Sequence, residues 1–208
     1  MTAEQISIAP ATPADAPMFS KFIRMSGKLL AAIYDRRTES LLAHLYVQPD
    51  NLYSYTHSCF LQVDGKKAGL LLAYSQATAQ NQQPGTNRLM IEYLRFGYYR
   101  RLFRMVKAGR ALGPPAPDEY LISNIALAPE FRNRGLGKAL IQEAVRQARQ
   151  DGCERLILDV MASNTAAMRC YTKNGFAVTQ KWPMIKMKEN QFIFYRMALH
   201  TMPSKKEY

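Results

Sequence analysis

Residues 124–138 read Asn124-Ile-Ala-Leu-Ala-Pro-Glu-Phe-Arg-Asn-Arg-Gly-Leu-Gly-Lys138, and the way this stretch must lie decides the fold. An apolar run over 120–127 predicts a strand, which Pro129 ends. The glycine-containing turn that follows opens a helix over 135–150, with Leu136, Leu140, Ala144 and Ala148 along one face. A strand that feeds a helix through such a turn brings exposed backbone N–H groups and the positive end of the helix dipole to one point. That point suits a phosphate or pyrophosphate. Gly135 and Gly137 leave room for close backbone approach, and Arg132, Arg134 and Lys138 add positive charge. Taken alone, the same letters also describe a basic turn before a surface helix.

Downstream, Asp151-Gly152 ends the helix, and Arg146 and Arg149 suit its negative end. A strand is predicted over 155–161. Ser163 or Asn164 then caps a short helix ending at Gly175, and strands follow over 176–180 and 191–199. Strand, helix, strand, helix implies an α/β sheet with at least one parallel crossover. Upstream, a short strand is predicted over 6–8 and a helix from Asp15 and Pro17 to Met25. A second helix is predicted over 38–46, stopped by Pro49. Residues 58–63 and 67–74 form a hairpin pattern around Asp64-Gly65. Residues 76–84 are polar and turn-rich and read as a loop. Over 88–110, Met90, Leu94, Tyr98, Leu102 and Val106 recur every fourth residue and predict one amphipathic helix, weakened at Gly97 and closed by Gly113-Pro114-Pro115.

The turn resembles the coenzyme A-binding motif of GNAT acetyltransferases, Q/R-x-x-G-x-G/A, here Arg132-Asn-Arg-Gly135-Leu-Gly137 directly after Ile125-Ala126-Leu127. The second half of the chain resembles the same superfamily through Leu158-Asp159-Val160-Met-Ala-Ser-Asn164, then Tyr171 and Asn174-Gly175-Phe176. The likeness is strong over 120–178 and weak in the hairpin before it. It implies the GNAT acyl-CoA N-acyltransferase fold, a mixed central sheet flanked by helices, with a helical insertion before the fourth strand. The 208 residues would form one N-acetyltransferase domain, with 75–119 as insertion and 120–178 as the acetyl-CoA-binding core.

The resemblance also implies roles. The backbones of Ile125, Ala126 and Leu127 would pair with the pantetheine arm as if it were a further strand. The segment Arg132, Asn133, Arg134, Gly135, Leu136, Gly137 and Lys138 would hold the pyrophosphate. Asn164 would contact the cosubstrate near its thiol end, and Tyr171 would protonate the departing thiolate. Packing of Met168 and Tyr171 as plain core, and of Asn164 as a helix cap alone, are the structural alternatives. Asp159 stands where ribosomal-protein alanine acetyltransferases of this superfamily carry a glutamate base; a strand carboxylate paired with an arginine is the equal alternative. Glu92 and Glu130 are weaker candidates for the base.

Bulk properties frame these readings. A formal charge of +12 favours anionic partners, and 48% hydrophobic residues suffice for a core. Cys59, Cys153 and Cys170 have neither CxxC nor metal-ligand spacing, and His44, His57 and His200 show none either, so no metal is expected. The N-terminal letters lack a basic start before an apolar run, which argues for a cytoplasmic protein without a signal peptide. The insertion carries Arg88, Arg95, Arg100, Arg101, Arg104, Lys107 and Arg110 beside Tyr93, Phe96, Tyr98, Tyr99 and Phe103. It reads as a packed helix with a solvated basic face, or as a substrate lid, a homodimer contact, or a nucleic-acid or membrane surface through 88–110. The leading function is transfer of an acetyl group from acetyl-CoA to a primary amine of a small molecule or protein. The alternatives are a GNAT-fold module that only binds acyl-CoA and a basic protein that binds nucleic acid or membrane.

Overall fold

The computed structural model describes residues 4–187 and 189–201. In chain order the elements are β1 (Ile6–Pro10), α1 (Ala16–Ser26), α2 (Lys28–Tyr34), α3 (Thr38–Tyr46), β2 (Ser58–Val63), β3 (Lys66–Ser75), α4 (Gln76–Leu94) and α5 (Phe96–Ala111). There follow β4 (Glu119–Leu127), α6 (Gly137–Gln150), β5 (Arg155–Met161), α7 (Thr165–Lys173), β6 (Ala177–Lys181), β7 (Ile185–Met187), β8 (Asn190–Phe192) and β9 (Phe194–His200). Seven strands form one mixed sheet in the order β1-β2-β3-β4-β5-β9-β6, and β7 and β8 pair apart from it. β4 and β5 run parallel, joined by the crossover through α6.

The apolar run of β3 is covered on both faces. Leu71 and Ala73 point to α6, where Leu140, Ala144 and Ala148 form the stripe read from the sequence. Leu70, Leu72 and Tyr74 point the other way, onto Phe19, Phe22 and Ile23 of α1. This period-two division makes a three-layer molecule. The β2–β3 hairpin turns at Asp64 and Gly65 with φ of 48° and 76°, the pair of positive values that a two-residue turn of this twist needs. A third cluster joins α2 and α3 to α4, α5, β7 and β8 through Ile33, Leu45, Leu89, Leu94, Tyr98, Ile185 and Phe192.

Three expectations need correction. Residues 76–84 are not a loop but the first half of α4, capped by the Ser75 hydroxyl, which accepts from the Thr78 N–H at 3.3 Å. Tertiary contacts override the turn letters. The Thr86 hydroxyl accepts from the Leu52 N–H and donates to the Gln82 carbonyl, both at 2.9 Å. A side chain in place of Gly85 would collide with the Asp50 carbonyl. Second, 88–110 is not one helix. The chain breaks at Arg95, with φ of 49°, rather than at Gly97. That conformation costs a non-glycine residue on the order of 1–3 kcal/mol. The break leaves Met90, Leu94 and Tyr98 buried but turns Leu102 and Val106 outward. Third, the strand expected over 191–199 is interrupted at Ile193, dividing β8 from β9.

Two features of β4 position the site. Leu72 pairs with Asn124 and Ala73 with Ile122, so Ser123 is an extra residue, a bulge that bends the strand. The parallel ladder to β5 stops at Ile122 and Leu158, although both strands continue. Beyond that point one edge of β4 is open. Among the described residues no helix is long and apolar enough to cross a membrane.

Candidate active site

The gap between β4 and β5 is flanked on one side by the turn into α6. Asn133 and Gly135 have φ of 60° and 75°, which curls the chain so that successive amides face one side. Arg132 N–H bonds back to Pro129, and Lys138 and Ala139 N–H groups bond to Gly135 and Leu136. Between them, the amides of Asn133, Arg134, Gly135, Leu136 and Gly137 donate to no carbonyl or side chain among the described residues. A row of unmatched donors at a helix N-terminus is an anion site. A methyl group on Gly135 would meet nothing within 4 Å, so the turn is uncovered at that residue.

The side chains of this turn divide. The Arg132 Nε donates to the Leu127 carbonyl at 3.1 Å and holds the turn to the end of β4. Arg134 pairs with Glu4 and lies over the Phe131 ring at 5.4 Å, so its charge is partly matched. Lys138 lies in the first turn of α6. Ile125, Ala126 and Leu127 pair with Leu71, Leu70 and Gly69 on one edge and leave the other edge to the gap.

α7 packs against the start of α6. A side chain on Gly137 would come within 3.4 Å of the Cys170 Sγ. The Asn164 Oδ1 accepts from the Ala167 N–H at 3.2 Å and caps α7. Tyr171 is half-buried, its ring 5.8 Å from that of Phe176. Burial, reinforced by the neighbouring Cys170 thiol, pushes its phenol well above the usual tyrosine range. The group therefore keeps its proton.

On the far side of the gap lies a cavity of about 570 Å³, bounded by the α1–α2 junction, α4, the segment after α5, and β4 and β5. Tyr53, Tyr74, Leu30, Leu121 and Phe194 give it an apolar body, and Gln76, Gln80, Ser123 and Asn124 supply hydrogen bonds. Burial raises the pKa of both Tyr53 and Tyr74, keeping these phenols neutral, although Ser123 pulls Tyr74 partly back.

Asp159 also lines this cavity, but its oxygens are already engaged. Oδ1 accepts from the Trp182 Nε1 at 2.7 Å and the Arg196 Nε at 3.1 Å, and Oδ2 accepts from the Arg196 Nη2 at 2.9 Å. Arg196 also donates to the Gly113 and Pro114 carbonyls at 2.8 and 3.2 Å, and its guanidinium lies 4.8 Å from the Trp182 ring centre. Arg196 and Trp182 escaped the sequence reading. The available signal was a lone arginine in the apolar run 192–199. Glu92 and Glu130 are exposed and neither lines the cavity.

The fold is thus α/β, with a parted pair of parallel-running strands flanked by a turn of unmatched amides on one side and a cavity on the other. The model of the Acetyltransferase (GNAT) family matches residues 30–176. The chain belongs to that family. Over 59 residues it is 39% identical to the [ribosomal protein bS18]-alanine N-acetyltransferase of Escherichia coli K12, a match covering 28% of this chain and 40% of that relative. Over 65 residues it is 35% identical to the mycothiol acetyltransferase of Corynebacterium glutamicum, covering 31% of this chain and 22% of that one. Among solved structures, an N-acetyltransferase from Staphylococcus aureus Mu50 superimposes with a TM-score of 0.66 at 18% identity, over 93% of this chain and all of that one. The Escherichia coli ribosomal-protein-S18-alanine N-acetyltransferase superimposes with a TM-score of 0.52 at 19% identity, over 98% and 99% of the two chains. At these identities the likeness is one of fold.

Proposed function

We propose that the protein transfers an acetyl group from acetyl-CoA to a primary amine by direct attack with both molecules bound. The observation that carries this reading is the row of unmatched amides from Asn133 to Gly137 beside the open edge of β4. These groups fit acetyl-CoA: the amides face a pyrophosphate, the strand edge takes an extended amide-containing arm, and the turn is uncovered at Gly135. Acetyl-CoA would supply an activated thioester. The amine would lie in the cavity on the other side of the gap, so that both reactants meet at the point where β4 and β5 part.

This chain's groups would then act as follows. Free N–H groups on β4 polarise the acyl carbonyl. Tyr171, held protonated, donates its proton to the departing sulfur. An ammonium has no lone pair, so the acceptor must lose a proton first. With both Asp159 oxygens accepting hydrogen bonds, that proton leaves through water in the cavity, and Asp159 serves to position Arg196 and the wall beyond it. Gln76, Gln80, Gln83 and the segment from Leu112 to Pro115 supply part of the cavity lining, which supports 75–119 as a determinant of the acceptor rather than of acetyl-CoA.

The test measures thiol release from acetyl-CoA with a panel of amines, together with calorimetric binding of acetyl-CoA. Binding with amine-dependent thiol release supports the proposal. Binding without release from any amine would favour a module that only holds acyl-CoA, and no binding would remove the assignment.

A further inference from the structure

The outer face of α5 carries an arrangement that acetyl transfer does not use. Phe96 and Phe103 are each 77% exposed and Tyr99 63%, with Leu102 and Val106 beside them at 38% and 41%. At 100° per residue, Phe96, Tyr99, Phe103 and Val106 fall on one side of the helix, and Arg100, Lys107 and Arg110 fall on that same side. The sequence of α5, FGYYRRLFRMVKAGRA, contains no acidic residue.

The opposite face is firmly held. Tyr98 and Ala108 are buried, and Arg104 donates to the Ala32 carbonyl at 3.0 Å and pairs with Asp35 at 3.2 Å. The exposed side is therefore a presented surface on a fixed helix. Aromatic and aliphatic side chains with cations set among and beside them offer an anionic bilayer two kinds of contact, apolar and electrostatic. The rings and aliphatic chains enter the acyl boundary while arginine and lysine reach the phosphates.

We infer that this face of α5 docks on an anionic lipid surface. Charge argues for that occupant. A second copy of the chain would set Arg100, Lys107 and Arg110 against cations of the same sign. A nucleic acid would satisfy the cations and could stack on the rings, but it offers no apolar phase for Leu102 and Val106. An acidic bilayer satisfies both. The inference does not depend on the acetyl-transfer proposal, since no residue of this face lines the cavity or the anion-binding turn.

The experiment is co-sedimentation of the full chain with vesicles of phosphatidylcholine alone and of equal parts phosphatidylcholine and phosphatidylglycerol. The expected result is binding to the anionic vesicles only, weakening as salt rises. Phe96→Ser with Phe103→Ser should lower the partition constant at least tenfold. Arg100→Glu with Lys107→Glu and Arg110→Glu should lower it further, since each cation near such a surface contributes roughly fivefold. Circular dichroism checks that these exposed changes leave the fold intact. Wild-type binding that ignores lipid charge would overturn the inference, as would a phenylalanine variant that sediments like the wild type. So would single-stranded RNA that binds the same face and is not displaced by anionic vesicles, or a dimer on size exclusion that the phenylalanine variant dissolves.

Discussion

Arg196 and Asp159 are register partners on β9 and β5, and the guanidinium closes on the carboxylate at two points, 3.1 and 2.9 Å. Both side chains are largely out of water, at 9% and 15% exposure. The same guanidinium holds the carbonyls of Gly113 and Pro114, where the segment after α5 returns to the sheet. One ion pair thus ties the β5–β9 side of the sheet to the wall of the cavity.

Asp159→Asn should leave this tie half-made. Removing the charge from one member of a buried pair costs up to about 3 kcal/mol, which a denaturant titration would read. Turnover should fall, with the ratio of mutant to wild-type rate flat across pH. A loss concentrated at low pH would instead make Asp159 the group that takes the amine proton.

Gly135→Glu should abolish calorimetric binding of acetyl-CoA by setting a bulky anion beside the unmatched amides. Gly135→Ala tests the backbone separately. At φ of 75° the added methyl should cost about 1 kcal/mol of stability while weakening binding far less than glutamate does. Undiminished affinity in the folded glutamate variant would remove the pyrophosphate from this turn.

Tyr171→Phe keeps the ring against Phe176 and removes only the hydroxyl. Turnover should fall by ~10²–10⁴-fold with acetyl-CoA affinity unchanged. The sign of the pH effect follows from the raised pKa. A phenol that works as an acid is lost only on ionising, so wild-type activity should show no alkaline fall from Tyr171 up to the ordinary tyrosine value of about 10. An effect of the mutation below tenfold would reduce Tyr171 to packing.

Gly113→Ala tests the cavity wall. The added carbon would sit 2.8 Å from the Trp182 ring and must displace it, which loosens the Trp182 hydrogen bond to Asp159. Overpacking of this kind costs about 1–3 kcal/mol. The acceptor KM should rise while acetyl-CoA affinity holds. Trp182 is the single tryptophan of the chain, so its emission reports the displacement directly. A changed acetyl-CoA affinity with an unchanged acceptor KM would put the segment on the wrong side of the gap.

The fold was most legible where local geometry and chemistry coincide. The turn at Gly135, the stripe of α6 and the Asn164 cap depend on backbone conformation and helical period, which short stretches of sequence encode. The acceptor side was less legible because its parts are assembled from distant elements. Pro84 and the polar letters around it say turn, and only contacts with Asp50 and Leu52 make them helix. Arg95 adopts a conformation that glycine would take more readily, so the neighbouring Gly97 drew attention to the wrong residue. Arg196 is a single charge in an apolar strand, and its meaning appears only when Asp159 lies opposite it.

Ser75, the last residue of β3, is the register partner of Tyr120 near the start of β4. The two helices between them leave and rejoin the sheet at one place, like an excursion from a hairpin that is already closed. Exchanging that excursion for another of different length changes little in the sheet, because closure entropy grows only slowly with loop length. The strand edge and the amide row lie at the other end of β4 and would be inherited unchanged. Such a scaffold can alter what it receives in the cavity while its acyl-donor half stays constant, so related chains are expected to diverge most in length and composition between these two partners.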